Sequence, residues 1–557
     1  MMEEDDFPSW NLSQIYESLD SKKLQDDFKH IIEKYEIFKK NLVNCNDFEK
    51  IAAAAEIKNQ FEMVAYNIFY FHVCTYRIDL NNLSAKNGLS RIHKIVEKFK
   101  VLEKKYKSAI SKLSLSQFNQ FIQLPHQRGL EFYNHEVRKK THDDQTKIIP
   151  KNEAFALSDK HQKLLIKLKK LDNKEQTFKD HANEASQILS EIFDLRIKED
   201  KILYKKNYRH NFLTTSIHGS RLKESTFNHF IKSQNDAVKI GQKAVERKLK
   251  YLKKNNISLK NLPELEKYKK INASFSFNES KSYILEALYD FSNDIGDFAF
   301  GLFKEQKIQM KKSQDMFPNG FTSRFYKNQT PFVFAPYFPG VNYILLLAHE
   351  IGHAYHFHVQ RDLKVSEERG PATLAETASV LFEEIVRDFL YKRCEHENNT
   401  SLKKELDEIE LNNAIRIPYI NSRFQFEHSL FLNSYKENLR FESITELYSQ
   451  IYSINYGVNI NFLDKYDWIK NTHLFASDIR FYNYQYLFGW ILSLKIADIL
   501  KSTAHKKDDL LKKSLRESGK MTCEDFALRF FNLNIEDRYF WEEGFQIIKN
   551  RVEKVDI

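Results

Sequence analysis

A mainly α-helical fold is what the sequence predicts, and three observations predict it. Apolar residues recur at helical spacing over long stretches, residues 48–76, 89–113, 157–171 and 283–303. Only 14 glycines and 10 prolines interrupt 557 residues, so tight turns and flexible linkers are scarce. Short strands do not dominate; one stretch rich in strand formers, Thr330-Pro331-Phe332-Val333-Phe334-Ala335-Pro336-Tyr337, precedes a longer apolar run.

In chain order, the first periodic segments form a helical N-terminal lobe. A break near 180–200 divides the chain into a lobe over 1–190 and a second lobe over 191–557. The run Arg247-Lys248-Leu249-Lys250-Tyr251-Leu252-Lys253-Lys254 reads as a solvated helix face. No zinc-finger spacing or phosphate loop accompanies it, so no nucleic-acid partner is expected. Two prolines restrict the stretch at 330–337 to an edge or short strand. An exposed edge can bind an extended peptide as an added strand, so Phe332 and Phe334 are expected to line a cleft; a strand buried against the core fits the sequence equally well.

The next run, Val341-Asn342-Tyr343-Ile344-Leu345-Leu346-Leu347-Ala348, supplies two apolar turns without a breaker and leads into His349-Glu350-Ile351-Gly352-His353. Two histidines four apart on a helix share a face, so both rings can reach one metal ion. Glu350 stands beside the first, placed to contact a metal-bound water without ligating the ion. Gly352 costs about 1 kcal/mol relative to alanine inside a helix, which marks close approach of another backbone.

A third ligand must come from elsewhere. His356 shares the face, but seven residues from His349 correspond to about 10 Å along the axis, too far for one ion to serve both. A metzincin-type third histidine is absent, since Val359 stands at its place. Glu376 is the better choice. Gly370-Pro371 opens its helix, along which Glu376, Ser379, Glu383 and Arg387 form a polar stripe and Leu374, Ala378, Leu381, Ile385 and Phe389 are apolar. Two histidines and a carboxylate leave one zinc position open for water, as a catalytic site requires, and Glu350 is then the base that takes the water proton.

The sequence from His349 to His356, followed by Leu374-Ala375-Glu376-Thr377-Ala378-Ser379, resembles the oligoendopeptidase F branch of the thimet oligopeptidase family of zinc metallopeptidases. Trp10-Asn11-Leu12-Ser13-Gln14-Ile15-Tyr16 is similar to that branch's opening motif, and Pro331-Phe332-Val333-Phe334 to the strand before its metal helix. Thr472-His473-Leu474-Phe475 and Phe481-Tyr482-Asn483-Tyr484-Gln485-Tyr486-Leu487-Phe488-Gly489 resemble its histidine and tyrosine segments. The resemblance implies a mainly α, zincin-like metallopeptidase with a small β-sheet beside the zinc site and a deep substrate channel. It implies one zinc ion per chain on His349, His353 and Glu376, with Glu350 as base and His473 and nearby tyrosines contacting substrate. It also implies short unfolded oligopeptides as substrates.

A developing oxyanion is stabilised by a Tyr hydroxyl or a protonated histidine aimed at it. If 481–489 is helical, Tyr482 and Tyr486 share a face and Tyr484 points away, so Tyr482 and Tyr486 are the candidates; aromatic core packing accounts for any single tyrosine among 28 equally well. The chain departs from the family where a cysteine-containing turn is usual, having Phe317-Pro318-Asn319-Gly320-Phe321-Thr322, and it matches weakly between about 250 and 281.

The net charge of +10 is a small excess of 86 basic over 76 acidic residues. Cys45, Cys74, Cys394 and Cys523 form no paired spacing, the N-terminus Met1-Met2-Glu3-Glu4-Asp5-Asp6 is acidic, and no apolar run reaches membrane-spanning length. A cytoplasmic protein without a membrane partner is expected. The function expected is zinc-dependent endopeptidase action on short peptides. The alternative is a peptide-binding protein that keeps the metal helix without hydrolysing.

Overall fold

The computed structural model describes residues 7–42, 47–123, 157, 160–161, 163–164, 175–204, 212–257, 262, 265, 273–312, 320–368, 370–435, 439–476, 479–503 and 507–556. The chain divides into two compact units, each discontinuous in sequence. One comprises Met1–Gln145, Ile271–Leu402 and Ser493–Asn532; the other comprises Thr146–Lys270, Lys403–Leu492 and Leu533–Ile557. The break expected at 190/191 falls instead inside an uninterrupted helix, Glu175–Tyr204. A linear reading of composition has no means of seeing that distant segments return to the same unit.

In the first unit, helices Lys22–Asn41, Phe48–Ile78 and Leu83–Ser111 pack in succession. Asp47 and Asn82 start the latter two by accepting hydrogen bonds from Glu49 N and Ala85 N. The periodic segments 48–76 and 89–113 thus lie close to their expected bounds, whereas 157–171 lies largely outside the described residues. The single helix expected over 283–303 is two, Phe277–Phe291 and Asn293–Lys304. Ser292 adopts an extended backbone (φ −161°, ψ 127°) between them, and its hydroxyl accepts from Ile295 N to cap the second.

Among the described residues the sheet has three strands, β1 (Ile308–Lys312), β2 (Phe321–Phe325) and β3 (Thr330–Tyr337), in the order β1-β3-β2. β3 runs parallel to β1 and antiparallel to β2. It is therefore the central strand, not an edge. Phe332 and Phe334 are buried in one apolar cluster with Trp10, Tyr16, Phe71 and Phe325 rather than lining an open cleft.

The two prolines fit because of the ladder's phase. Val333 N–H points to β1, donating to Lys307 O at 2.8 Å, so alternation turns the 331 position to the β1 side and 336 to the β2 side. β1 pairs only from Val333 onward and β2 only up to Phe334, so each proline's missing donor lies past the end of the strand it would have faced. The N-terminal motif secures the same sheet. The Trp10 indole N–H lies 2.9 Å from Val333 O and 3.1 Å from Lys307 O, and Met310 N donates to Pro8 O on the outer side of β1.

The second unit is built mainly from helices, including Glu224–Lys254, Phe441–Tyr456 and Arg538–Lys554. The basic run at 247–254 is not wholly solvated. Lys248 is buried and donates to Leu265 O at 3.0 Å, and Arg247 donates to Val552 O at 2.5 Å. No described helix is long and apolar enough to cross a membrane. Cys74, Cys394 and Cys523 are buried; Cys45 lies outside the described residues.

Candidate functional site

The metal-binding motif lies on helix Val341–Val359, buried on most of its circumference by Tyr343, Ile344, Leu347, Ile351 and Tyr355. Its main neighbour is helix Thr377–His396. The two cross at Gly352, where an added Cβ would lie 2.6 Å from Ala378 O and 2.7 Å from Ser379 Cα. Only a residue without a side chain lets the helices approach this closely, as the sequence suggested.

That approach brings Glu376 to the histidines. Pro371 precedes a short turn, Ala372–Ala375, and the chain bends at Glu376 (φ −88°, ψ 0°) before the longer helix begins. Ser379 Oγ donates to Glu376 Oε2 at 2.8 Å and steadies the carboxylate. Glu376 Oε2 then lies 3.3 Å from His349 Nε2 and 3.3 Å from His353 Nε2, and donor atoms of all three residues lie within 4.8 Å of one another.

Tetrahedral ligands about 2.1 Å from a zinc ion stand about 3.4 Å apart, so both histidine–carboxylate separations fit one ion. The three side chains are 20 to 25% exposed, enough to admit a substrate atom. Burial pushes the Glu376 carboxyl upward, but hydrogen bonds from both histidines hold it well below the usual range. Burial likewise opposes charge on His349, and its contacts with Glu376 and Glu383 overcome that opposition, raising its pKa to about 10. This group of two imidazoles and a carboxylate can hold a metal ion.

Three neighbours escaped sequence reading. Glu383 Oε1 lies 2.5 Å from His349 Nδ1, fixing the ring with its Nε2 toward Glu376. Its place on the polar stripe was the signal, but a solvated glutamate would look the same. Glu350, only 4% exposed, meets Thr322 Oγ1 of β2 at 2.8 Å. Gly320 makes room for it, since an added Cβ there would stand 2.8 Å from both Glu350 Cγ and Oε1. The stretch singled out for its departure from the family therefore ends against Glu350; Phe317, Pro318 and Asn319 lie outside the described residues. Burial raises the Glu350 pKa, opposed by the two histidines and Thr322, which gives the carboxylate greater appetite for a proton.

His356 takes no part in this group. It is buried and faces Leu515 O at 3.1 Å and Ser518 Oγ at 3.0 Å.

His473, Tyr482 and Tyr486 form a separate cluster in the second unit. The rings of His473 and Tyr482 are 5.1 Å apart, those of Tyr482 and Tyr486 5.2 Å, and His473 Nδ1 lies 3.4 Å from Asn483 Oδ1. Burial, countered in part by Asn483, lowers the His473 pKa. The helix starts only at Tyr484, so Tyr482 precedes it, yet Tyr482 and Tyr486 still meet across the first turn. Tyr484 points away and is buried, its hydroxyl 2.8 Å from Ser220 Oγ.

The segment that builds this candidate metal-binding group has a known counterpart. Residues 311–526 match the model of peptidase family M3. The match agrees with the resemblance read from the sequence, solved structures named oligoendopeptidase F share the fold, and that fold is mainly α and zincin-like. No curated protein matches it. Among solved structures it is similar to PZ peptidase A with an inhibitor, at 15% identity and TM-score 0.70, covering 96% of this chain and 97% of the other. It is similar to oligoendopeptidase-F from Enterococcus faecium at 13% identity and TM-score 0.63, covering 96% and 98%. Metallocarboxypeptidase 1 of Trypanosoma cruzi is similar at 12% identity and TM-score 0.56, covering 93% and 99%. These likenesses are of fold, and they include proteins named for internal and for terminal cleavage.

Proposed function

We propose that this protein is a zinc-dependent endopeptidase that hydrolyses internal bonds of short, unfolded oligopeptides. In this reading His349, His353 and Glu376 hold the metal, Glu350 is the base, and His473, Tyr482 and Tyr486 contact the substrate. The observation that carries it is the pair of 3.3 Å separations from Glu376 to the two histidines, with Glu350 between them in sequence and seated on Thr322.

Bound on these ligands, zinc would polarise the scissile carbonyl and make water acidic enough to lose a proton near neutrality. Glu350 accepts that proton and returns it to the leaving amine, a role suited to a buried carboxylate whose pKa is raised. Along β2 the residues whose backbone groups pair with β3 alternate with those that do not. The backbone groups of Thr322, at the part-exposed end of β2, face away from β3 and suit an extended peptide. Tyr482 and Tyr486 bring hydroxyls that can serve a developing oxyanion.

The test is a quenched-fluorescence peptide series of graded length, assayed with metal-loaded protein and Glu350→Gln. Chelator-sensitive internal cleavage that fades for longer peptides, with metal retained and turnover lost in the variant, is expected. Turnover in metal-loaded Glu350→Gln defeats the assignment of the base. Stoichiometric metal with no cleavage at any length leaves a peptide-binding protein instead, and release of single terminal residues makes the protein an exopeptidase.

A further inference from the structure

His473 and Tyr482 lie nine residues apart on a segment joining a short turn, Asp467–Lys470, to helix Tyr484–Ser502. A loop of this length has many conformations, and bringing two rings to 5.1 Å requires something to select one. The selection comes from buried charge. Arg196 and Asp200, one turn apart on helix Glu175–Tyr204, both face the segment. The Arg196 guanidinium donates to Ala476 O and Ile479 O, each at 2.8 Å, and lies 3.4 Å from Glu427 Oε1. The other Glu427 oxygen accepts Phe481 N–H at 3.1 Å. Asp200 accepts from Arg480 at 2.6 Å, and Arg480 also donates to Arg196 O at 3.2 Å.

At this point the backbone is strained. Phe481 has φ +50°, a left-handed conformation that a bulky residue rarely adopts. Its ring is buried against Phe212, Phe424 and Phe431 at 5.3 to 5.7 Å, so the turn is held both by packing and by Glu427. The next residue is Tyr482. The side chains of Arg196 and Glu427 are 3% and 4% exposed, and those of Arg480 and Asp200 7% and 0%. Such pairs add little net stability over apolar residues of the same size, but removing one partner leaves the other as a costly buried charge, so they favour one geometry.

We propose that Arg196, Asp200, Glu427 and Arg480 are positioning residues that hold the segment carrying His473 and Tyr482 in the shape required for substrate contact. Arg196 gathers the carbonyls of Ala476 and Ile479, while Glu427 sustains the left-handed turn at Phe481 that directs Tyr482 back to His473. The catalytic part of this assignment rests on the proposed role of His473; the positioning part does not.

The test uses the full chain with metal bound. Arg196→Lys keeps the charge but lacks the planar fork needed to reach two carbonyls and a carboxylate together. The double variant Arg196→Met with Glu427→Leu removes both buried charges and guards against simple unfolding. Metal content, thermal unfolding, kcat and KM on a quenched peptide, and the NMR titration of the His473 ring are measured for each, with Arg196→Gln as a partial rescue.

Expected are retained metal and a retained thermal transition in the double variant, and a fall in kcat on the order of 10- to 100-fold with KM altered less. The His473 titration moves toward the ordinary histidine value as the ring loses its enclosure. Unchanged kcat together with an unchanged titration overturns the proposal. His473→Ala is assayed in parallel. If it leaves kcat intact, the substrate-contact reading fails, while the ring titration still decides whether the cluster positions the loop.

Discussion

Glu383 accepts a hydrogen bond from His349 Nδ1 at 2.5 Å, while Nε2 of the same ring faces Glu376. The carboxylate holds a proton on Nδ1, so Nε2 is the nitrogen whose lone pair a metal would take in place of the second proton. Glu383→Ala is expected to weaken zinc affinity by about 10- to 100-fold, and Glu383→Gln, which keeps an acceptor without the charge, by less. Competition with a chromophoric chelator measures both. Equal affinity in all three proteins would make Glu383 a spectator.

Gly352→Ala should destabilise the protein although alanine favours helix. The intrinsic gain of about 1 kcal/mol is opposed by a contact of 2.6 Å with the Ala378 carbonyl, a backbone atom that cannot rotate aside. A net loss of roughly 1–3 kcal/mol is expected by urea denaturation. Because Ser379 beside that contact holds Glu376, metal content should fall in the same variant. A stabilised variant with full metal would show that the helices can part at no cost.

Thr322→Val removes the hydroxyl that donates to Glu350 Oε2 at 2.8 Å. A donor to a carboxylate favours its charged form, so its loss raises the Glu350 pKa further. With Glu350 as the proposed base, higher pH is then required for it to be ready, and the acidic limb of kcat/KM against pH should move upward. A limb that stays in place would assign it to another group.

His356 makes stability depend on pH in a defined window. Burial above all, with the nearby His353 adding to it, lowers its pKa from 6.5 to about 4. Between those values the unfolded chain binds the extra proton, so this contribution is fully present above pH 6.5 and is lost as pH falls toward 4. The loss amounts to about 3 kcal/mol. His356→Gln should flatten that part of the profile in urea titrations; an identical slope in the variant would place the dependence elsewhere.

The candidate metal-binding group was legible because helical spacing is itself a coordinate. His349 and His353 share a face on any helix, and Glu376 opens the next acidic stripe. Glu383 was visible on that stripe but not interpretable, since a charge facing solvent and a charge facing His349 have the same sequence signature. The tyrosine pairing held although the helix begins two residues after Tyr482, because the preceding turn delivers nearly the same face.

What the sequence obscured was mostly long-range. Nothing local distinguishes a division inside helix Glu175–Tyr204 from one that weaves three segments into each unit. Arg196 and Glu427 are separated by more than 200 residues, so their pairing beneath the His473 segment has no local trace. The break at Ser292 is hidden for the opposite reason: an ordinary capping residue lies inside the strong apolar period 283–303, which masks it.

Pro331 and Pro336 bracket the paired stretch of β3. A two-residue slide of β3 one way would set Pro331 in the donor place of Val333 against β1, and the other way would set Pro336 in the donor place of Phe334 against β2, so the prolines penalise a slide in either direction while costing nothing in the observed register. They act as end-stops on a ruler. Since β3 sets β2, and β2 carries Thr322, the distance from a threonine hydroxyl to the Glu350 carboxylate is ultimately calibrated by two residues that touch neither.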